Sequence, residues 1–484
     1  MPSRPESPQP PRGLTFSRLR VAMPAVLLAC QNLAAPVAWA GYAPSAPRPG
    51  PQAPAKGPAP SAGLRCGEDP AQALLAKAPP PQLADQGDPR AQLRDLVQAA
   101  LERSKGIGAS KLLEEAAKFD VQETQAGKWP SIYLTGQLGP SYSKIDDFPA
   151  QKPTNLTANI SAQVPLWDAG RLKQLVAWRV ELAQSAQWSI KSAEEAVALQ
   201  TVSLALDRSR YHLQVQVYRQ YVQKMRCLSD AIDLIVAGDR GRASEQVQAR
   251  KSMRQAELQL AQSESALRVA EIRLRRFVGD SLPSPQGFAA VFAQLPAKDM
   301  LLAETEASFD IEGMKSQARA AEAYARSVEA AQKPQVGVSV SAAQVIGPIK
   351  STSLSAGVSY SVPLFLPGAD ASVSSAQKRA SAQRMGLIEA LEARRYRVEE
   401  VFESAESSFD RTRRATAVLG DSEELRRATL EQWRDLSKRS LFDVMSAEGD
   451  YFNTQVARVN AIYDGQQAVA MLWSLGRGLN EWLR

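Results

Sequence analysis

The side chains best suited to chemistry are few in this chain. It has one histidine, His212, and three cysteines, Cys30, Cys66 and Cys227, among 484 residues. A zinc site built from several Cys and His ligands is therefore excluded, and a His-based triad has a single candidate. His212 lies in a helical run without a partner motif, which favours a packing or surface role. Without a nucleophile elbow, phosphate loop or metal cluster, the sequence predicts neither an enzyme nor a cofactor.

The composition favours long helices over a compact globule. Hydrophobic residues make up 44% of the chain and aromatic residues only 6%, while Ala, Gln, Ser, Arg and Glu crowd its middle stretches. The formal charge is +7, and residues 1–40 supply +3 of it through four arginines against one glutamate, which leaves +4. So small an excess predicts no nucleic-acid partner. In an oxidising compartment Cys66 and Cys227 could pair, which their sequence separation leaves open.

The amino terminus has the pattern of a secretory signal peptide over residues 1–40. Arg18 and Arg20 precede a short apolar run, and Ala38-Trp-Ala40 supplies small residues for cleavage, so we expect the mature chain to begin near Gly41. Acylation at Cys30 is the alternative. Residues 41–90 are rich in Pro and Ala and predict a disordered linker. No later run has the ~20 apolar residues of a spanning helix, so a membrane span must consist of strands.

Strict alternation of apolar and polar residues predicts strands with one apolar face. It is clearest in the second strand of each of two predicted hairpins, 129–166 and 334–364. If these strands enter a bilayer, their apolar residues face lipid. The residues predicted to do so are Leu156, Ile160, Val164, Leu354 and Val358.

The two hairpins belong to two similar halves, 91–297 and 298–484. Val164, Pro165, Leu166 and Gly170 recur 198 residues later as Val362, Pro363, Leu364 and Gly368, which indicates a tandem duplication. Each half begins with a shorter helix before its hairpin. The long helices predicted after the hairpins span 168–236, 243–278, 370–438 and 440–475, and their heptad-like apolar seams are typical of antiparallel coiled coils.

Three motifs in this order resemble the TolC-type outer-membrane factors, the outer-membrane efflux protein family. They are Gln163-Val-Pro-Leu-Trp-Asp-Ala-Gly-Arg171, Ser361-Val-Pro-Leu-Phe-Leu-Pro-Gly368 and Arg439-Ser-Leu-Phe-Asp-Val-Met-Ser-Ala-Glu448. The resemblance implies a mainly α fold with β-hairpins. It implies a homotrimer whose chains share a 12-stranded outer-membrane barrel and a periplasmic tunnel of antiparallel coiled-coil helices. The implied partners are a periplasmic adaptor and an inner-membrane ABC transporter or proton-driven pump.

The resemblance also suggests roles for residues at the tunnel tip. Asp443 matches the first of two acidic ring positions, and Ser446 replaces the second, so one ring of three carboxylates is expected. Arg439 matches a basic latch residue, with Glu245 or Gln246 as its partner. The alternative is that these are solvated charges at helix ends.

The motifs also suggest roles at the junctions between strand and helix. Pro165 and Pro363 are expected to end the strand ladders because proline lacks an amide donor. Gly170 and Gly368 are expected to permit a close approach or a positive φ. The alternative is ordinary punctuation between a strand and a helix, with no role in function.

The sequence therefore predicts a passive outer-membrane exit duct. Weak support for acylation at Cys30 favours type I secretion of proteins, toxin-like ones included, over drug efflux, which is kept as the alternative. A trimeric surface adhesin or structural stalk is more remote, because it would normally place one anchor at a chain end. An enzyme is least favoured.

Overall fold

The computed structural model describes residues 88–140, 154–238, 240–284, 288–347, 350–434 and 439–484. The predicted signal peptide, all but the end of the predicted linker, Cys30 and Cys66 lie outside the described residues. Helices dominate the described chain, with four strands between them. The fold is therefore mainly α with β-hairpins, as the sequence predicts.

Two short helices precede the first strand where the sequence predicts one. Helix α1 spans Pro89–Arg103 and helix α2 spans Lys105–Ala126. They separate at Ser104, whose extended backbone ends α1 and whose hydroxyl accepts a hydrogen bond from the Ile107 amide at 3.3 Å. A serine at this position is a favoured N-cap, so the prediction of a single helix here was wrong.

The strands of both halves form one antiparallel sheet in the order β1-β2-β3-β4. Strands β2 and β3 pair from Leu156 opposite Ile346 to Trp167 opposite Val336, which joins the two hairpins. In the described chain the outer edges of β1 and β4 have no strand beside them. The strands are β1 Ser131–Pro140, β2 Thr154–Trp167, β3 Gln335–Ile346 and β4 Ser351–Ser361.

Each hairpin leads into a long helix that returns as a shorter one. Helix α3 has 68 residues and is roughly 100 Å long at the usual rise per residue. Helices α3 and α4 pack together, as do α7 and α8, and α3 also contacts α8. The helices are α3 Arg171–Gly238, α4 Ala243–Val278, α5 Lys298–Glu304, α6 Phe309–Ala330, α7 Ala369–Arg434, α8 Leu441–Leu475 and α9 Leu479–Leu483. Within the described ranges, none of them is both long and apolar enough to span a bilayer.

Two large apolar clusters, beside a small third one of Ala325, Ala376 and Ala380, hold the described helices together. The first lies where α1 and the C-terminal α9 meet the middle of α3 and α7, and it includes Leu93, Val202, Val398, Tyr463 and Leu479. The second lies near the turn from α3 into α4, and it includes Met225, Ile232, Ala249, Leu441 and Phe452. Small Ala residues in the second cluster let neighbouring helices approach closely. This packing fixes the start of α8 against α3 and α4.

Candidate functional site

The register of the sheet divides its side chains into an apolar and a polar face. Leu134 lies opposite Ile160, which lies opposite Ala342, which lies opposite Leu354. Residues one position along turn to the other side, where Ser341 and Ser355 share a hydrogen bond of 2.7 Å between their hydroxyls. Neither face carries a charged side chain in the four described strands. One side of the sheet thus suits hydrocarbon and the other suits water.

All five residues predicted to face lipid lie on the apolar face. Leu354 is 78% exposed and Val358 70%, while Leu156 and Ile160 are 42% and 49% exposed. Val164 is half-buried and lies opposite Val338 of β3. A continuous exposed apolar face of this kind needs a covering surface.

The glycines at the two strand-to-helix junctions have the positive φ that the sequence predicts. Gly170 has a φ of 82° and Gly368 a φ of 85°. At Gly170 the chain enters α3 with Asp168 as an added cap, since its carboxylate accepts hydrogen bonds from Gly170 and Leu172. Equivalent glycines thus produce the same bend in both halves.

The prediction that Pro165 ends a strand ladder was wrong. Pro165 lies opposite Gly337, and β2 continues to Trp167 through a shift of register. A bulge tolerates the missing amide donor of proline, so pairing resumes beyond it. In the second half β4 ends at Ser361, two residues before Pro363.

Alanine at Gly170 or Gly368 should lower the free energy of unfolding by about 1 to 2 kcal/mol each, because a Cβ is strained at positive φ. The strain acts alone, since no atom lies within 4 Å of the added Cβ at either position. Gly386→Ala, at an exposed and equally open site within α7, should raise that energy by about 0.5 to 1 kcal/mol. Urea unfolding measures all three, and equal effects at the three glycines would contradict the assignment.

The predicted acidic ring residue begins helix α8. The Ser440 hydroxyl accepts from the Asp443 amide at 3.2 Å, and the Asp443 carboxylate accepts from the Ser440 amide at 3.1 Å. This reciprocal pair is a capping box, and its carboxylate also lies at the positive end of the helix dipole. Asp443 therefore has a structural role beside any role in a pore.

Arg439 and its predicted partners do not meet within one chain. Arg439 donates to Gln432 at 3.2 Å, at the end of α7. Glu245 accepts from Arg242 at 3.2 Å, and the Gln246 amide donates to Asp233 at 2.7 Å. A latch that joins Arg439 to either residue stays a prediction.

Glu245 nevertheless lies beside the start of α8. A surface cavity of about 230 Å³ is lined by Ser244, Glu245 and Gln248 from α4 and by Leu441, Phe442 and Met445 from α8. Phe442 is exposed at its rim, whereas Leu441 and Met445 are buried. The structure therefore brings the first turns of the two returning helices together.

A buried charge cluster lies near this turn and was not predicted from the sequence. The Glu448 carboxylate is fully buried in α8, 3.3 Å from the Lys224 ammonium of α3 and 3.3 Å from the Arg426 guanidinium of α7. Burial raises the pKa of Glu448, and Lys224 and Arg426 oppose that rise. Lys224 and Arg426 lie far from Glu448 in sequence, so no local motif predicts this cluster.

The histidine is partly buried on a helix, in agreement with the packing or surface role that its sequence context favours. His212 lies in α3, with one ring nitrogen 3.0 Å from the Gln216 side-chain nitrogen one turn along the helix. Burial, together with Arg208 and Arg219, lowers its pKa. Over the described part of the chain, no three His, Cys, Asp or Glu side chains are grouped as metal ligands.

Part of the first half of the chain matches a known family. Residues 96–280 match the family model of the outer membrane efflux protein. No curated protein matches the sequence. The match covers the first hairpin and the helices α3 and α4, which are the elements that position the candidate site in the first half.

Solved structures of similar fold span most of the chain. A membrane protein from Pseudomonas aeruginosa is 17% identical with a TM-score of 0.72, covering 81% of this chain and 93% of its own. VceC, an outer membrane protein of Vibrio cholerae, is 16% identical with a TM-score of 0.69, covering 80% and 97%. The CmeC outer membrane channel of Campylobacter jejuni is 14% identical with a TM-score of 0.69, covering 80% and 86%.

Proposed function

Because residues 96–280 match the family model of the outer membrane efflux protein, we propose that three copies of this chain form a passive exit duct. The family is one of outer-membrane channels, so the chain lies in that membrane with its helices in the periplasm. Channels of this family are passive proteins and not enzymes. The duct therefore needs an energy source elsewhere.

The observation that carries the proposal is the sheet. Its apolar face suits hydrocarbon, but four strands are too few to close a barrel, and open strand edges are not tolerated in lipid. Three copies supply twelve strands, with β1 of one copy beside β4 of the next. The polar face, rich in Ser, Thr, Asn and Gln, then lines a wet lumen.

The helices extend this lumen into the periplasm. In the proposed trimer, α3, α4, α7 and α8 of each copy build a tunnel wall that tapers toward the start of α8. A periplasmic adaptor and an inner-membrane pump engage this end, and cargo passes without chemical change.

For the cargo, we favour efflux of small molecules because the matched family carries efflux in its name. Type I protein secretion, which the sequence favours, is the second candidate. A photo-reactive amino acid at the exposed Phe442 should capture the periplasmic partner in cells, and the pump that copurifies decides. A proton-driven exporter supports drug efflux, whereas an ABC transporter for a secreted protein overturns it.

The acidic ring at Asp443 should make the duct prefer cations, because three carboxylates approach one axis in a trimer. Asp443→Asn removes the charge but keeps an oxygen that can accept from the Ser440 amide, so the capping box survives in part. We expect its reversal potential in a salt gradient to move toward zero. Asp421→Asn, at an exposed site on α7, is the control, and equal shifts in both variants would rule out the ring.

Arg439→Ser should increase single-channel conductance while the trimer remains intact, if Arg439 latches the closed tip. The substitution removes a guanidinium whose described contact is Gln432, so little folding energy is lost. Planar-bilayer recording of the purified trimer measures the conductance. An unchanged conductance would return Arg439 to the role of a solvated charge.

A further inference from the structure

The charge cluster around Glu448 joins three helices from both halves of the chain. Glu448 is 0% exposed, Lys224 is 5% exposed and Arg426 is 8% exposed. Arg426 also donates to both carboxylate oxygens of Glu423, at 2.7 and 2.9 Å, and lies over the Tyr451 ring at 4.6 Å. Two cations and two carboxylates thus balance each other, and of the four only Glu423 is partly exposed.

Glu448 is the member that makes the cluster a link between helices. Arg426 and Glu423 lie on the same helix, α7, whereas Lys224 comes from α3 and Glu448 from α8. A neutral residue at 448 would leave Lys224 without its buried carboxylate and the cluster with a net positive charge. Breaking one member of a buried ion cluster costs far more than losing a surface pair.

The position of Glu448 connects this link to the aperture, which is the tapered end of the proposed tunnel at the start of α8. It lies five residues after Asp443 on the same helix, and its neighbour in the first turns, Leu441, is buried against α3 and α4. A helix is stiff over so short a distance. Where Glu448 is held, the direction of the first turns of α8 is therefore set as well.

We propose that Glu448 is the positioning residue of the aperture: by pairing with Lys224 and Arg426 at once, it holds the first turns of α8 against both long helices. The proposal rests on the proposed function in placing Asp443 at the aperture. The buried pairing of Glu448 with Lys224 and Arg426 is itself a property of the single chain. Its two consequences, helix position and conductance, can be measured separately.

Helix position is tested with spin labels at two exposed sites, Leu234 at the end of α3 and Phe442 at the start of α8. In the full-length protein, Glu448→Gln should broaden and shift the distance distribution between the labels. Glu257→Gln is the matched control, because its partner Arg226 also bridges two helices at 3.2 Å but on the surface. An unchanged distribution in Glu448→Gln would overturn the proposal.

A charge-balanced double variant separates loss of the pairing from the cost of an unbalanced buried charge. Lys224→Met combined with Glu448→Gln removes one cation and one carboxylate, and Arg426 keeps its paired Glu423. The label distances should stay as broad as in Glu448→Gln, because the pairing between α8 and α3 is absent although the buried charges balance. A return to the distances of the parent protein would show that an unbalanced buried charge, and not the lost pairing, moved the helix, and would overturn the proposal.

Conductance then tests the step from helix position to aperture. Glu448→Gln should raise the fraction of time that single channels spend open, and the double variant should raise it as well because it also lacks the pairing. If the label distances shift while conductance does not, Glu448 positions α8, but the start of α8 does not form the aperture. If no variant forms a conducting trimer, the proposed function fails. The label distances still show whether Glu448 positions α8.

Discussion

Ile160→Arg should lower the free energy of unfolding in a bilayer by about 2 to 4 kcal/mol, the cost of a cation near the midplane on the lipid face of a barrel. Ile160 lies in the middle of β2, between Leu134 and Ala342 on the apolar face, and is 49% exposed. In lipid the guanidinium has no water and no acidic side chain in the four described strands to pair with. Urea unfolding in lipid vesicles measures the loss.

Ser161→Arg is the matched control for this prediction. Ser161 follows Ile160 directly and lies on the polar face, between Tyr133 and Ser341. An arginine there reaches a wet lumen, and its cost should stay below about 1 kcal/mol, as at positions that water can reach. Equal costs at the two positions, or a larger cost at Ser161, would contradict the assignment of the faces.

Glu195→Ala should cost about 3 kcal/mol, because two backbone amides lose a buried charged acceptor. Glu195 of α3 accepts from the Leu479 amide at 2.6 Å and from the Asn480 amide at 3.3 Å. These amides begin α9, whose Leu479 and Leu483 are buried in the first apolar cluster. Without the carboxylate, we expect α9 to detach.

Detachment of α9 can be measured by limited proteolysis. Trypsin should cleave after Arg477 in Glu195→Ala several times faster than in the parent protein, because the segment around it loses its anchor. Glu481→Ala removes an exposed carboxylate from α9 itself and should leave the cleavage rate nearly unchanged. The same rate in both variants would show that Glu195 does not hold the C-terminal helix.

The fold follows from the sequence where the pattern is local. Alternation assigns Leu156 and Ile160 to one face because the side-chain period of a strand is two, whatever the strand pairs with. The pairing partner of each strand is not encoded by alternation. The pairing of β2 with β3 depends on how α6 returns the chain to the sheet, and the bulge after Pro165 depends on what lies opposite it.

The candidate site shows the same division. Ser440 and Asp443 have the spacing of a capping box, so their hydrogen bonds were open to prediction from sequence. The buried pairing of Glu448 could not be predicted from the sequence, because helix packing brings its partners Lys224 and Arg426 to it. A glutamate in an amphipathic helix is usually solvated, and only tertiary structure shows that this one is buried.

In the proposed assembly, three chains form one conducting duct. Purified full-length protein in mild detergent should have the protein mass of three chains, and the same sample in a planar bilayer should give discrete single-channel currents. A closed tip would give small currents that grow in Arg439→Ser. Trimers without current in either form would contradict the duct and favour a surface adhesin or stalk, and a conducting monomer would contradict the shared barrel.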